Sequence, residues 1–200
     1  MQSKNKSSVT ALPNGVLSER VTKIKHYTDR LFCFRTTRSS SLRFQAGEFV
    51  MIGLPNAEKP IYRAYSITSP TWDEELEFYS IKVPDGPLTS QLQRIVIGDE
   101  ILIRKKASGT VVLDTLIPGK TLYLISTGTG IAPFASIIRE PEAYEKYSKI
   151  ILTHTCRLKS ELNFGYDVVS NAKQDPLVGD EARLRLRHVA TTTRCLLYTS

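Results

Sequence analysis

The chain has 200 residues, of which 41% are hydrophobic and 24% are charged, a composition typical of a soluble globular protein. No apolar run approaches the roughly 20 residues that a membrane span needs, and no apolar segment follows the N-terminal lysines, so neither a membrane protein nor a secretory signal is expected. The net charge of +7 suits nucleic acid or an acidic protein as partner, but without a reader helix, a zinc finger or an aromatic–basic RNA motif we do not expect nucleic acid.

The first hundred residues predict an antiparallel β-barrel that follows a short mobile arm at 1–14. Short strand-like segments alternate with turns between residues 15 and 117, and many short strands at regular spacing are typical of a closed or nearly closed barrel. The predicted strands are VLSERVTKIKHY, RLFCFRTTR, GEFVMIGL, RAYSIT, ELEFYSIKV and DEILIRKKA. The exception is 87–95, PLTSQLQRI, where helical spacing predicts a helix capped by Thr89 or Ser90.

After Pro118-Gly119 the pattern changes to alternating strands and helices, which predicts parallel βαβ units over 118–194. TLYLIS (121–126) is a continuous apolar run, typical of a strand buried on both faces. The further predicted elements are helices at IAPFASIIRE, PEAYEKY and ELNFGYDVVSNAK (161–173), and strands at KIILTHT (149–155) and RLRLRHVATTT (183–193).

The cysteines and histidines predict no metal site and no disulfide framework. Cys33, Cys156 and Cys195 lie far apart, without a CxxC pair, and the three histidines show no ligand spacing. A reducing cytoplasm is therefore the expected compartment. We expect Cys33 to lie in the core, and His154 and His188 to be strand residues rather than acid–base catalysts.

The stretch STGTGIAP, from Ser126 to Pro133, has the pattern of a phosphate-binding turn. Gly128 and Gly130 let the backbone approach a pyrophosphate, and the free N–H groups of a helix start attract it. Position 133 is Pro, so the stretch is not GxGxxG, and an ordinary glycine turn between strand and helix is the alternative.

The stretch RAYS, Arg63 to Ser66, places a cation, an aromatic ring and a hydroxyl on one predicted strand. Together these can meet a phosphate, a ring face and a polar ring edge. Taken alone, the stretch is unremarkable, and Tyr65 could simply pack.

The combination of three motifs resembles the ferredoxin–NADP(H) reductase family. RAYS lies in the predicted barrel, IKVPDGPLTS (81–90) follows it, and STGTGIAP then opens the α/β domain. The resemblance is closest to the bacterial flavodoxin/ferredoxin reductase branch and extends from about residue 15 to 194. It implies an FAD-binding barrel at 15–117 and a partial NADP(H)-binding domain at 118–194. The implied activity is electron transfer between NADP(H) and ferredoxin or flavodoxin through FAD, with hydride passing from NADPH to flavin N5.

The resemblance also implies roles for residues in the barrel. Arg63 would pair with the FAD pyrophosphate, Tyr65 would stack on the isoalloxazine, and Ser66 would bond near N5. The remaining implied contacts to FAD are Ala64, Ile81, Lys82, Val83, Pro87, Leu88 and Thr89.

In the second domain the resemblance implies the NADP(H) contacts. Thr127 would lie close to the flavin, and Gly128, Thr129 and Gly130 would receive the pyrophosphate and nicotinamide. Arg157 would contact the adenosine phosphates, and Thr193-Arg194 would grip the 2′-phosphate, which suits a planar guanidinium. The expected catalytic residues are Tyr65, Ser66 and Cys156. Cys156 would line the nicotinamide cleft, and plain packing is its alternative role.

The partner implied by the family is an acidic electron carrier, ferredoxin or flavodoxin, steered by complementary charge. Two basic clusters, 104–106 and the alternating arginines of 183–187, are candidate docking surfaces, and a solvated face is the alternative for each. Two alternative functions remain open. One is an electron-transfer subunit or flavin reductase of the same family that serves another acceptor, and the other is an inactive flavin-binding fragment.

The C-terminal residues 195–200, CLLYTS, resemble nothing in the family. They are what TGTCTCTTATACACATCT encodes, which is similar to the end of a sequencing transposon. We therefore expect a non-native tail after Arg194, and a third parallel strand that leaves an apolar face of the sheet uncovered.

Overall fold

The fold is described by a computed structural model that covers residues 12–55 and 60–194. The predicted tail at 195–200 and most of the predicted N-terminal arm lie outside these residues. None of the helices within the two ranges combines the length and the apolar character that a membrane crossing requires.

Six antiparallel strands form the first sheet, in the order β4-β3-β6-β1-β2-β5. Its strands are β1 Val16–His26, β2 Leu31–Thr37, β3 Phe49–Gly53, β4 Arg63–Ser66, β5 Glu75–Ile81 and β6 Glu100–Arg104. Each corresponds to one predicted strand segment. The edge strands β4 and β5 approach through the isolated bridge between Ile67 and Phe78, so the sheet is nearly closed. The predicted antiparallel barrel is confirmed.

The barrel is filled by side chains that alternate inward along its strands. Phe34, Val50, Ile52 and Phe78 are completely buried in one cluster, and Phe34 and Phe78 pack with their ring centroids 5.2 Å apart. This period of two, apolar inward and polar outward, is what an antiparallel sheet with one solvated face requires.

Three parallel strands in the order β7-β8-β9 form the second sheet. Its elements are β7 Thr121–Thr127, α2 Ala132–Ile137, α3 Pro141–Lys146, β8 Lys149–Cys156, α4 Asn163–Gln174, α5 Gly179–Arg185 and β9 Leu186–Thr192. A 3-10 turn, Gly128–Ile131, leads from β7 into α2. The predicted parallel α/β architecture is confirmed. The boundary predicted at 117/118 falls in the link between β6 and β7 and stays a prediction.

The segment 121–126 was predicted to be a strand buried on both faces, but β7 is buried on one face only. Leu122 and Leu124 are buried against the helices, whereas Tyr123 and Ile125 on the other face are 62% and 72% exposed. An uninterrupted apolar run carries no period, so it cannot tell a strand covered on both faces from one covered on a single face. The expected uncovered apolar face is present in the described part of the chain.

The segment 183–193 was predicted to be one strand, but 183–185 belong to the helix α5, which was missed. Arg183 pairs with Asp180 and Arg185 pairs with Glu181, and such pairs one turn apart stabilise a helix. The alternation of arginine and leucine at 183–187 suits a strand, whereas the acidic first turn, the basic last turn and the completely buried Ala182 favour a helix over Gly179–Arg185.

The helix predicted at 87–95 is reduced to one turn, α1 Thr89–Leu92. Leu88 occupies the N-cap position without a side-chain cap bond, so the predicted cap at Thr89 or Ser90 is wrong. The hydroxyl of Thr89 donates to the carbonyl of Val83 at 3.2 Å, which closes the preceding turn.

Candidate functional site

The strand β4 brings the RAYS stretch to the wall of a cleft of about 390 Å³. Tyr65 pairs with Val50 of β3 and is 9% exposed, whereas Arg63 and Ala64 are exposed. The residues around this first cleft come mostly from the barrel: Arg63, Ala64, Tyr65, Ser66, Tyr79, Ser80, Ile81, Val83, Gly86, Pro87, Leu88, Thr89, Thr129 and Ala132.

The guanidinium of Arg63 is available to an anion. Its Nη1 donates to the carbonyl of Tyr62 at 2.9 Å, and no carboxylate within 12–55 and 60–194 forms an ion pair with it. A guanidinium with unused donors beside a cleft suits bidentate binding of a phosphate. Sequence reasoning selected this residue, and the structure places it at the first cleft.

Four residues of the first cleft were not predicted as site residues: Tyr79, Ser80, Gly86 and Ala132. The hydroxyls of Ser80 and Tyr65 lie 3.5 Å apart, and Tyr79 stacks on Phe164 of α4 with centroids 3.8 Å apart. Burial raises the pKa of both tyrosines, so their phenols stay neutral. The only sequence signal for Tyr79 and Ser80 was their position on β5 directly before Ile81.

The segment after β5 lines the same cleft with Val83, Pro87, Leu88 and Thr89. Lys82 does not line it, and its backbone N–H donates to the carbonyl of Arg30 at 2.6 Å. The backbone contact predicted for Lys82 is therefore limited to its carbonyl.

A second cleft of about 380 Å³ lies at the carboxyl ends of the parallel strands. Thr127, Gly128 and Thr129 line it as predicted, together with Cys156, Arg157 and Thr193. Its other residues, which were not predicted, are Arg30, Leu31, Thr155 and Glu161. Arg30 belongs to the loop before β2, and nothing in its local sequence pointed to a nucleotide site on the other sheet.

The glycine turn leaves open space in front of it. Gly128 has φ of +51°, and a methyl group built on Gly128 or Gly130 would meet no atom within 4 Å. Gly128 therefore adopts a backbone conformation that other residues rarely take, and the space is open to a ligand. Gly130 lines neither of the two clefts.

The turn rests on His154, which is completely buried in β8. Its Nε2 lies 3.0 Å from the carbonyl oxygen of Gly128 and 3.2 Å from Sγ of Cys156. Burial lowers the pKa of His154, so the ring is neutral, and the carbonyl acceptor requires that Nε2 carry the proton. Burial also raises the pKa of the Cys156 thiol, which lines the second cleft as predicted.

Two arginines meet where β8 and β9 end. The N–H of Thr193 donates to the carbonyl of Cys156 at 2.9 Å, and the N–H of Arg194 donates to the carbonyl of Arg157 at 3.0 Å. Arg157 lines the second cleft, whereas Arg194 lines a neighbouring depression with Lys159 and Tyr166. The backbone thus brings the two predicted phosphate-binding arginines side by side.

The two clefts share a wall. Ile81, at the end of β5, and Thr129, in the glycine turn, line both of them. The barrel cleft and the sheet cleft therefore form adjacent compartments that meet between the two sheets.

The barrel and the parallel sheet, joined by these adjacent clefts, define a class, the two-domain flavoprotein oxidoreductases. Residues 15–111 match the family model described as "Oxidoreductase FAD-binding domain", which covers the whole barrel. Among solved structures, a ferredoxin NADP+ reductase from Neisseria gonorrhoeae with bound FAD and NADP is similar at a TM-score of 0.81 and 31% identity. The match covers 92% of this chain and 70% of that one.

Curated relatives place the chain more narrowly. It is 57% identical over 178 residues to a flavodoxin/ferredoxin–NADP reductase of Rhodobacter capsulatus, covering 88% of this chain and 66% of the relative. It is 49% identical over 181 residues to a ferredoxin–NADP reductase of Pseudomonas aeruginosa, covering 90% and 70%. The chain belongs to the ferredoxin/flavodoxin–NADP reductase family, whose cofactors are FAD and NADP(H), and the predicted family is confirmed. It spans about two thirds of the length of these relatives.

Proposed function

We propose that this chain binds FAD in the first cleft and NADP(H) in the second, and that the complete protein transfers electrons between NADP(H) and ferredoxin or flavodoxin. The observation that carries the proposal is the wall shared by the two clefts at Ile81 and Thr129. Two cofactors that react directly must meet at close range, about 3–3.5 Å between reacting atoms.

The first cleft fits FAD. Arg63 offers a guanidinium without a carboxylate partner in the described ranges, which suits a pyrophosphate, and Tyr65 offers a neutral buried ring, which suits a flat apolar surface. Ser66 adds a hydroxyl at the same wall. When bound, the flavin supplies the redox chemistry, and the protein supplies position and electrostatics.

The second cleft fits a phosphorylated nucleotide. The space open before Gly128 admits a pyrophosphate close to the backbone, and Arg157 and Arg194 place two exposed cations at the neighbouring ends of β8 and β9. An arginine pair favours a nucleotide that carries the additional 2′-phosphate. We assign the preference for NADP(H) over NAD(H) to Arg157 and Arg194.

Cys156 lines the second cleft together with Thr129, which belongs to the wall shared by the two clefts. The thiol of Cys156 stays protonated because burial raises its pKa, so the residue acts through its size and position rather than as a nucleophile. We propose that Tyr65, Ser66 and Cys156 shape the reacting centre.

The docking surface for the acidic carrier is better supported at 104–106 than at 183–187. Arg104, Lys105 and Lys106 are all exposed at the end of β6, and Arg104 lies over the ring of Tyr62 at 4.6 Å. Arg183 and Arg185 are instead paired with acidic residues of their own helix, so their charge is partly neutralised. An exposed basic patch steers an acidic partner and loses strength as salt rises.

The test is the visible spectrum of the purified chain after FAD is added and the excess removed, followed by anaerobic titration with NADPH and with NADH. The proposal predicts a yellow protein that NADPH bleaches much faster than NADH. A chain that retains no flavin absorbance would show that the FAD site is assigned wrongly. A chain that holds FAD and is not bleached would be an inactive flavin-binding fragment.

A further inference from the structure

A dense set of polar contacts joins the two domains on the side away from the glycine turn. We call it the polar latch: Ser136, Arg139 and Glu140, at the end of α2 and before α3, together with residues 68–72 and Glu77 of the barrel. Trp72 Nε1 donates to the carbonyl of Arg139 at 3.2 Å, and the hydroxyl of Ser136 donates to the carbonyl of Ser69 at 2.8 Å.

Glu140 is the centre of the polar latch. Its two carboxylate oxygens accept from the backbone N–H of Thr71 at 2.5 Å and from the hydroxyl of Thr71 at 3.0 Å. The neighbouring Arg139 donates to the carbonyl of Thr68 and lies 3.2 Å from the carboxylate of Glu77. Arg139 and Glu140 are each only 8% exposed.

Such buried charged groups favour one arrangement of the two domains. A turn of the barrel relative to the sheet would separate Arg139 and Glu140 from their barrel partners, and a charged group that loses its partner without becoming fully hydrated is strongly unfavourable. A second contact between the domains lies at α4, where Tyr79 stacks on Phe164, the hydroxyl of Tyr27 donates to Asp167 at 2.9 Å, and Lys25 pairs with Asp167. Lys25 and Asp167 are about half exposed, so their ion pair is weak, whereas the polar latch is buried and carries more of the directional preference.

The polar latch is connected to both cofactor motifs by short, stiff segments. Thr68 follows Ser66 of β4 by two residues, and the helical stretch from Gly128 to Ile137 ends just before Arg139. Ser66 and Thr129, at the far ends of these segments, both line the first cleft. The strand β4, the polar latch and the helix α2 therefore connect Ser66 to Thr129 through a continuous set of ordered segments.

We propose that Glu140 is a positioning residue that, through Thr71, fixes the separation of Ser66 from Thr129 and so the gap in which nicotinamide and flavin would react. The inference rests on the proposed function, because it assigns the polar latch to that reaction. A displacement of about 1 Å of reacting groups can lower a rate about 100-fold, so a contact far from the chemistry can control it.

The test compares Glu140→Ala and Glu140→Gln with Glu145→Ala, a matched control at an exposed glutamate of helix α3, which begins directly after Glu140. Gln keeps an oxygen for the N–H of Thr71, and its amide can donate to the Thr71 hydroxyl, so it should restore the contact that Ala removes. Trp72, the single tryptophan of the chain, reports the state of the polar latch by its emission maximum and its quenching by acrylamide.

In Glu140→Ala we expect a red-shifted and more readily quenched Trp72, and a rate of flavin reduction at saturating NADPH that falls about 10- to 100-fold. The dissociation constants of FAD and NADP+ should stay within about twofold, because both binding surfaces remain intact. Glu140→Gln should recover most of the rate, and Glu145→Ala should behave as wild type.

An unchanged rate in Glu140→Ala overturns the proposal, whether or not Trp72 responds, since the contact would then serve stability alone. If Glu140→Ala does not fold, Thr71→Val decides, because it removes only the hydroxyl contact and should lower the rate in the same direction. A wild-type chain that binds FAD but is not reduced by NADPH shows that the proposed function has failed, and the positioning role fails with it. If wild type is reduced and Glu140→Ala is reduced as fast, only the positioning role fails.

Discussion

The two clefts are built by different physical means. The barrel cleft is formed by strands whose opposite faces fill a closed apolar core, and its aromatic ring, Tyr65, is itself buried. The sheet cleft is formed by a glycine turn and by exposed cations at strand ends, on a sheet with one face exposed in the described residues. Packing therefore determines the shape of the first cleft, whereas ligand binding in the second cleft depends on charge and on the unusual backbone conformation of Gly128.

Removing Arg63 should give the largest effect and should be confined to the barrel cleft. Arg63→Ala takes away a charge-assisted contact to a pyrophosphate, which is worth about 1.5–3 kcal/mol, so the FAD dissociation constant should rise roughly 10- to 150-fold. Flavin fluorescence titration measures it, and Arg94→Ala, an exposed arginine away from both clefts, is the control. Equal FAD affinity in both variants would remove Arg63 from the site.

Removing Arg194 should act on the sheet cleft alone. Arg194→Ala should weaken NADP+ binding by about 1–1.5 kcal/mol, roughly tenfold, and leave NAD+ and FAD binding unchanged. Arg187→Ala, an exposed arginine on the same strand β9, serves as the control. Isothermal titration at two salt concentrations should also show that salt weakens NADP+ binding more than it weakens FAD binding. Comparable losses for NADP+ and NAD+ would argue against a contact to the 2′-phosphate.

The glycine turn offers a sharper test of backbone conformation. Gly128→Ala forces a left-handed backbone on a residue with a Cβ, at a cost of about 1 kcal/mol, and places a methyl group in the open space of the second cleft. We expect a lower thermal midpoint and weaker NADP+ binding with unchanged FAD affinity. Gly119→Ala lies outside both clefts, at a glycine without positive φ, and should change neither quantity.

The smallest expected effect is that of mild acid, which should destabilise the parallel sheet more than the barrel. Burial, followed by the charges of His154 and Lys173, lowers the pKa of His188 to about 4, and burial also lowers that of His154. Their contribution to stability is complete above the unfolded pKa of about 6.5 and is lost as pH falls toward 4, because protonation favours the unfolded chain. Between pH 7 and pH 5 the loss at His188 should be roughly 0.5–1 kcal/mol after screening by solvent.

Hydrogen exchange at pH 7 and pH 5 measures this difference strand by strand. Protection should fall in β8 and β9 while β2 and β5 keep theirs, and His188→Gln should reduce the change. Equal loss of protection in both sheets would show that the histidines do not set the acid response.

The strands along the chain and the main motifs could be predicted from the sequence because both depend on local pattern, whereas no strand order within either sheet was predicted. The period of two in β5 and the Gly-x-Gly turn after β7 are local signals, and the motif residues line the two clefts except Lys82, Gly130 and Arg194. Arg30 and Tyr79 were not predicted, since their place in the clefts depends on how the two sheets pack. Helix α5 was missed because its arginine–leucine alternation suits a strand, whereas the packing of Ala182 that favours the helix appears only in the folded chain.

The polar latch also could not be predicted from the sequence. Glu140 and Thr71 lie 69 residues apart and carry no motif, so only the folded chain brings them together. The buried carboxylate of Glu140 in a segment that reads as a simple helix junction, IREPEAY, gave no sign of a contact to the barrel.

The most direct test of the shared wall is methyl NMR of the chain during successive additions of FAD and NADP+. The account predicts that the methyl groups of Ile81 and Thr129 respond to FAD and respond again to NADP+, whereas the methyl of Ile95, away from both clefts, responds to neither. Two separate sets of responding residues, with Ile81 and Thr129 silent to one of the ligands, would contradict the meeting of the clefts.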